Sequence, residues 1–226
     1  MGVGIVAGAA AAVVVSFGAF RLHRFMQGIR AYRDMTKSKW VEAPPDFLRL
    51  RDVAVQSSAL RFFRINDEVM GGKSSSTLDL TKGSALLFEG HINTNGGGFC
   101  SCRTLGDAAP IGLQDGSALL IDAAGDGQRH KMTLHTADSW SMRTPSWSHD
   151  FEPSPQRSVH RLLLRDFIPS RQGGVIKGIA PLDGANVTGL GFSLSLYTAD
   201  GKPNPRFGNG PFRLEIYGMR EVEEEA

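Results

Sequence analysis

The sequence predicts an all-β sandwich of the jelly-roll type, preceded by a single transmembrane helix and a basic amphipathic helix. Three observations support this prediction: an uncharged run at residues 2–20, a basic periodic stretch at 21–37, and eight to ten short apolar runs from Leu60 onward. Short strands that alternate with Gly, Pro and Asp turns are typical of antiparallel sandwiches. We therefore divide the chain into an anchor (1–20), an amphipathic helix and linker (21–45), a sandwich domain (46–220) and an acidic tail (221–226).

Residues 2–20 contain no charged side chain. As a helix, this segment would extend about 28 Å, close to the roughly 30 Å hydrocarbon core of a bilayer. A cleaved secretory signal would carry positive charge before the apolar run, whereas Arg21, Arg24 and Arg30 follow it. We expect an uncleaved single-span anchor whose C-terminal side lies on the inside face of the membrane.

Small residues recur every four positions along this anchor, at Gly4, Gly8, Ala12 and Ser16. A stripe of this kind lets a second transmembrane helix approach closely, as G-x-x-x-G pairs do. The richness of the segment in Ala and Gly would also produce such a stripe by chance. Both interpretations stay open.

Basic charge is concentrated directly after the anchor. Residues 21–39 hold six Lys and Arg against one Asp, so the remainder of the chain must sum to −3 for a total of +2. A nucleic-acid surface on the folded domain is therefore not expected. Leu22, Phe25, Ile29 and Tyr32 follow a helical spacing, so this helix could lie on an anionic membrane surface or pack on a partner protein.

The folded domain is predicted from short apolar or alternating runs separated by turn signals such as Asp115-Gly116 and Asp200-Gly201. The predicted strands lie at 60–65, 76–80, 84–92, 98–104, 117–123, 130–136, 158–164, 187–197 and 211–219. Residues 46–57 give a weak signal for a helical turn or an edge strand. Residues 139–156, which contain Trp140 and Trp147, are predicted to form a long irregular loop.

Two glycine-rich turns flank the predicted strand at 84–92, one near Gly71 and one near Gly97. Adjacent glycines indicate a backbone with positive φ or one that passes very close to another group. We expect the side chains of Asn66, Asp67 and Asn95 to hold these turns by hydrogen bonds to backbone amides.

Sequence patterns of catalysis are weak in this chain. Gly71-Gly72-Lys73-Ser74 resembles the end of a phosphate-binding loop, but position 67 is Asp and the following residues favour a strand rather than a helix. Histidines do not follow a metal-protease spacing, and the C-x-C pair Cys100 and Cys102 would place both thiols on one strand face. We therefore predict no enzyme, and no catalytic, cofactor-binding or metal-binding residue.

Five motifs occur in one order along the chain: N-D-x-V-M-G-G-x-S, F-x-G, N-G-G-G-F-x-S-x-R, G-D-G and F-x-L-E-I. They begin at Asn66, Phe88, Asn95, Gly125 and Phe212. Together they resemble the complex I intermediate-associated protein family over about residues 60–219. The signature-loop residues that this resemblance points to, in structural or docking roles, are Asn66, Asp67, Val69, Met70, Gly71, Gly72, Ser74, Asn95, Gly96, Gly97, Gly98, Phe99, Arg103, Asp126 and Gly127.

The resemblance implies a galactose-binding-like domain that acts as a scaffold rather than a catalyst. Its implied partners are membrane-arm subunits or assembly intermediates of respiratory complex I, in the mitochondrial inner membrane with the soluble domain facing the matrix. Whether the chain is a transient assembly factor or a resident accessory subunit stays open. The alternative is a carbohydrate- or small-ligand-binding module, for which Trp140 and Trp147 are the candidate contact residues.

Overall fold

The computed structural model describes residues 39–51, 53–55, 60–104, 109–136, 144–171 and 173–224. The predicted anchor, its small-residue stripe and the amphipathic helix to residue 38 lie outside these ranges, as does Trp140. Within the described part of the chain, no helix has the length and hydropathy of a membrane span.

The described residues form strands joined by turns and three single turns of 3-10 helix. The strands are β1 (Val41–Glu42), β2 (Leu48–Leu50), β3 (Val53–Ala54), β4 (Arg61–Asn66), β5 (Ser75–Leu80), β6 (Leu86–Ile92), β7 (Phe99–Thr104), β8 (Ser117–Gly125), β9 (His130–Thr136), β10 (Ser146–Phe151), β11 (Ser158–Leu163), β12 (Ile168–Arg171), β13 (Gly174–Val175), β14 (Val187–Ser195) and β15 (Gly210–Glu223). The 3-10 turns are Asp67–Met70, Leu164–Asp166 and Gly184–Asn186.

Two sheets pack face to face. The first sheet has the order β1-β4-β7-β14-β9-β10-β12-β13, with antiparallel neighbours. The second has the order β11-β8-β15-β2-β3, with β6 also beside β15 and β5 outside β6. Its pairs are antiparallel except that β2 lies parallel to β15. The all-β sandwich prediction is confirmed.

The core lies between the two sheets because alternate side chains of each strand point inward. On β7, Cys100 and Cys102 are both fully buried free thiols, so the prediction that they share one strand face is confirmed. The largest fully buried side chains include Phe47, Phe62, Phe63, Phe88 and Phe192.

The predicted loop at 139–156 contains a strand. β10 lies between β9 and β12, and its Trp147 and Phe151 are buried. The local sequence Ser-Trp-Ser-His-Asp-Phe has two strand-favouring residues among four polar ones, so its apolar alternation is weak, and the strand pairs with β9 along five residues. The weak signal at 46–57 corresponds to strands β2 and β3, of which β3 lies at the edge of its sheet.

The sandwich also extends beyond both predicted limits. β1 begins at Val41, before residue 46, and β15 continues to Glu223, beyond residue 220. Glu221 is buried, and its carboxylate accepts hydrogen bonds from the Gln114 backbone N–H at 2.6 Å and the Ser117 hydroxyl at 2.9 Å. The start of the predicted acidic tail is therefore part of strand β15. These two hydrogen bonds offset the cost of burying the Glu221 carboxylate.

Candidate functional site

The first signature turn is built around a buried carboxylate. β4 ends at Asn66, the chain makes one 3-10 turn over Asp67–Met70, and Gly71 closes it in the left-handed conformation with φ 90°. Asp67 is fully buried. Its Oδ1 accepts the backbone N–H of Ser74 at 2.9 Å, and its Oδ2 accepts the Ser74 hydroxyl at 2.7 Å. These two bonds join the start of the turn to its end.

Ser74 also connects the first turn to the second. Its Oγ accepts the backbone N–H of Asn93 at 3.0 Å while its hydroxyl donates to Asp67. Ser74 is fully buried, so each of these polar contacts replaces a contact with water. A continuous hydrogen-bonded path therefore runs from Asp67 through Ser74 to the loop that follows β6.

Two glycines provide the space for the Asp67 carboxylate. A Cβ added at Gly72 would lie 2.2 Å from Asp67 Cγ, and one added at Gly97 would lie 2.3 Å from Asp67 Oδ2. Real Cβ atoms essentially never approach a heavy atom this closely. Both glycine-rich turns thus border the same carboxylate.

The two conditions that call for glycine, a positive φ and a close approach by another group, apply to different glycines of these turns. Gly71 has positive φ, and a Cβ added there would meet no heavy atom within 4 Å. Gly97 has no positive φ, whereas its neighbours Gly96 and Gly98 have φ 85° and 157°. At Gly97 the requirement is the close approach of Asp67, so any side chain there would displace the carboxylate.

Two of the three predicted turn-holding side chains have other roles. The side-chain amide of Asn66 hydrogen-bonds the Ser76 hydroxyl on β5 at 2.6 Å, not an amide of the glycine turn. Asn95 is exposed, and its backbone N–H donates to Asn93 Oδ1 at 2.9 Å. Asn93 is therefore the residue that holds the second turn, and Asp67 is the one prediction of the three that is confirmed.

Asn93 and Asn209 were missed at the level of sequence. An Asn two residues before the amide that it binds is a recognisable Asx pattern, so Asn93 could have been found. Asn209 accepts the Thr94 N–H at 2.7 Å and the Thr94 hydroxyl at 3.0 Å through Oδ1. It lies 115 residues from Thr94, and no local pattern would reveal it.

The end of the N-G-G-G-F-x-S-x-R motif lies on β7, where Ser101 and Arg103 are on the side opposite the buried thiols. Ser101 Oγ donates to the Ile65 carbonyl of β4 at 2.7 Å. The Arg103 guanidinium lies 5.7 Å from the Phe63 ring centroid, and burial lowers the pKa of Arg103 to about 10. Gly191 of β14 faces Arg103 in register, and a Cβ there would lie 2.7 Å from Arg103 Cβ. Arg103 therefore packs closely against Phe63 and Gly191 of its own sheet.

The remaining three motifs meet at a second place, between β6, β8 and β15. The Phe88 and Phe212 rings are 5.0 Å apart, and a Cβ at Gly90 would lie 2.1 Å from the Ser75 carbonyl oxygen. A shallow groove of about 510 Å³ lies at this place. It is lined by Thr77, Glu89, Gly90, Asp126, Pro211, Phe212 and Arg213.

Asp126 of the G-D-G motif closes the turn after β8, where Gly127 has φ 80°. Its carboxylate accepts the backbone N–H groups of Gln128 at 3.0 Å and Arg213 at 2.9 Å. Partial burial acts to raise its pKa, but hydrogen bonds from His130 and from these two amides outweigh burial and lower the pKa of Asp126 to about 2. Asp126 is therefore an ionised turn-holding group.

Groups that could perform chemistry are similarly occupied or neutral. Burial, aided by the Asp67 carboxylate, raises the pKa of the Cys100 thiol to about 12, so the thiol is protonated at neutral pH. Trp147, a candidate sugar-contacting residue, is 7% exposed and packs in the core, so that interpretation of it is wrong. Across the described ranges, no three His, Cys, Asp or Glu side chains converge in a group that could hold a metal ion.

Comparison with solved structures finds carbohydrate-binding modules. A family 11 module of the cellulosomal cellulase Lic26A-Cel5E of Clostridium thermocellum is 13% identical, with a TM-score of 0.44 over 80% of this chain and 98% of that one. A family 30 module is 11% identical, with a TM-score of 0.46 over 82% of this chain and 86% of that one. No curated protein matches the sequence.

Comparison with protein families gives a match over most of the sandwich. The model of complex I intermediate-associated protein 30 matches residues 52–216, which is more than half of the 226-residue chain. The matched range contains both signature turns and the second motif cluster. The chain therefore belongs to the complex I intermediate-associated protein 30 family.

Proposed function

We propose that this chain is a non-catalytic, membrane-anchored scaffold that acts in the assembly or stability of respiratory complex I. The family match over residues 52–216 is the observation that carries the proposal. The family is associated with complex I assembly, and we extend that role to this chain as an assembly factor or a resident accessory subunit. We also infer the galactose-binding-like type of sandwich that the motif series implies.

The geometry of the signature residues supports a scaffold more than an enzyme. Both oxygens of the Asp67 carboxylate are taken up by Ser74, and Asp126 is taken up by backbone amides. Catalytic carboxylates instead need an oxygen directed at a substrate in a cleft. Here the motifs hold a fixed loop surface, from which Glu68, Lys73 and Asn95 are exposed.

We infer that this surface docks on membrane-arm subunits or assembly intermediates of complex I. The uncharged run at 2–20 and the net +5 of residues 21–39 support embedding in the inner mitochondrial membrane, with the sandwich in the matrix. The carbohydrate-binding alternative has less support, because Trp147, one of its two candidate contact residues, is buried.

Gene deletion followed by native gel electrophoresis of membrane complexes tests this function. We expect full-size complex I to decrease and sub-complexes to accumulate. Normal amounts of full-size complex I would refute the proposal.

A matched pair of variants in the deleted background tests the docking surface. Lys73→Glu reverses an exposed charge in the first signature turn, and Lys82→Glu does the same in the exposed turn between β5 and β6. We expect Lys82→Glu to restore complex I fully and Lys73→Glu to restore it partially, with equal melting temperatures. Equal rescue by both variants would exclude this turn as the docking surface.

A further inference from the structure

Exposed apolar side chains are concentrated on two neighbouring segments, 173–179 and 196–202. Of the six large hydrophobic side chains exposed in the described part of the chain, four lie here, and we call them the apolar tip. They are Val175 (39% exposed), Ile179 (38%), Leu196 (41%) and Tyr197 (45%). Scattered single apolar residues are ordinary on a protein surface, and the largest apolar patch of a soluble protein often marks a contact site.

The two segments are in contact with each other. A Cβ at Gly201 would lie 3.2 Å from Val175 Cγ2, and Val175 and Tyr197 line one shallow depression. Gly173 and Gly178 adopt positive φ, which turns the chain at both ends of the Val175 segment. Leu196 lies beside Gly98 of the second signature turn, and its N–H donates to the Gly98 carbonyl at 3.1 Å.

Positive charge slightly exceeds negative charge in the two segments of the apolar tip. Residues 173–179 and 196–202 contain Lys177 and Lys202 against Asp200, which is two positive charges minus one, a net of +1. Lys202 pairs with Asp200 at 2.6 Å. Lys177 is exposed between Val175 and Ile179.

The outward face of the second sheet has the opposite character. Arg213 pairs there with Glu89 and Glu215, and Arg157 forms a two-bond ion pair with Asp122. Charges on that face are balanced by their neighbours. The tip region differs from that face in holding four of the six large apolar side chains that are exposed in the described residues.

The exposed apolar area of the tip favours a membrane over a protein as its binding partner. Four side chains exposed by about two-fifths present an apolar area on the order of 300 Å². A specific protein interface buries roughly 800 Å² on each partner. Shallow insertion of a few apolar groups, with cations at the anionic headgroups and a tyrosine at the interface, needs no larger area.

We propose that the apolar tip inserts into the interface of an anionic phospholipid bilayer, with Lys177 and Lys202 at the headgroups. This contact goes beyond the scaffold role and does not depend on residues 2–20. It would orient the sandwich with its second signature turn close to the membrane surface.

Site-specific fluorescence on the full chain tests the proposal. Ile179→Cys is labelled with an environment-sensitive fluorophore, and Val159→Cys on β11, where Val159 is 61% exposed, serves as the matched control. Cys100 and Cys102 are fully buried and do not compete for the label. Each labelled chain is combined with vesicles of phosphatidylcholine containing roughly 30% phosphatidylglycerol.

We expect the emission of the Ile179→Cys label to rise about two- to threefold on membrane insertion. Lipids that carry a quencher in their acyl chains should quench it, whereas the Val159→Cys label should remain in water. Adding Lys177→Glu and Lys202→Glu, or omitting phosphatidylglycerol, should reduce the rise. If both labels stay equally accessible to aqueous iodide, the proposal is overturned. It is also overturned if the Ile179→Cys label is shielded only when complex I subunits are added, because a protein is then the occupant.

Discussion

Replacing Gly97 by Ala tests whether the two signature turns depend on the Asp67 carboxylate. Gly97 has no positive φ, so alanine brings no backbone strain and the whole effect comes from its Cβ. That Cβ would lie 2.3 Å from Asp67 Oδ2, whereas ordinary contacts begin at 3.4 Å. Relief of this overlap requires the carboxylate to move by about 1 Å within a close-packed interior, where Gly72 also borders it closely.

The magnitude follows from the bonds that this movement breaks. Asp67 is fully buried and accepts two hydrogen bonds from Ser74, at 2.9 and 2.7 Å. Each hydrogen bond to a charged group contributes about 1.5–3 kcal/mol. With partial relaxation of the loop we expect Gly97→Ala to lower the free energy of unfolding by about 3–4 kcal/mol. For a domain of this size the melting temperature should fall by about 10 °C.

Two further glycines serve as controls. Gly208 has open space and no positive φ, so Gly208→Ala should change stability by less than about 0.5 kcal/mol. Gly71 has open space but φ 90°, so Gly71→Ala should cost about 1–2 kcal/mol through backbone strain alone. The predicted order of destabilisation is therefore Gly97→Ala, then Gly71→Ala, then Gly208→Ala.

The assay is chemical denaturation of the detergent-solubilised chain, arranged as a double-mutant cycle with Asp67→Ala. Removing the carboxylate removes the atoms nearest the new Cβ, although Asp67 Cβ would remain at 2.9 Å. In the Asp67→Ala background Gly97→Ala should cost at least about 2 kcal/mol less than in the native chain. The reasoning is refuted if the two effects add, or if Gly97→Ala melts together with Gly208→Ala.

Two other predictions concern the second turn and the response to pH. Asn93→Ala should lower the free energy of unfolding by about 1 kcal/mol, because Asn93 Oδ1 accepts the Asn95 N–H. Asn95→Ala, at an exposed position, should be nearly neutral in the same denaturation assay. Burial and the charge of Arg103 lower the pKa of His135 to about 3, so below pH 6.5 the unfolded chain takes up a proton that the folded chain does not. The free energy of unfolding should therefore fall by about 2 kcal/mol between pH 6.5 and 5. The His135→Gln variant should lack this part of the pH dependence. If the variant and the native chain have the same pH profile, His135 titrates normally in the folded state.

The sandwich class could be predicted because strand periodicity is a local property. Alternation of apolar and polar residues placed nine strands close to their observed limits, and it placed Cys100 and Cys102 on one face. β10 was missed because only Trp147 and Phe151, four positions apart, are apolar, which is too few for a recognisable alternation. Its existence depends on β9 and β12, which lie at other places in the sequence.

By itself, the sequence determined the all-β class, nine of the strands, and the motif order that indicates the family, because each depends on residue types at short spacing. It also indicated that glycine is needed in both turns. Only the tertiary structure shows why glycine is needed in both turns. Gly72 and Gly97 are 25 positions apart in the sequence, yet both border the carboxylate of Asp67. Such contacts arise from the pairing of β4 with β7 and of β5 with β6, which brings distant loops to one end of the sandwich. The proximity of Val175 to Tyr197 in the apolar tip has the same origin, since long-range strand pairing leaves no local trace in the sequence.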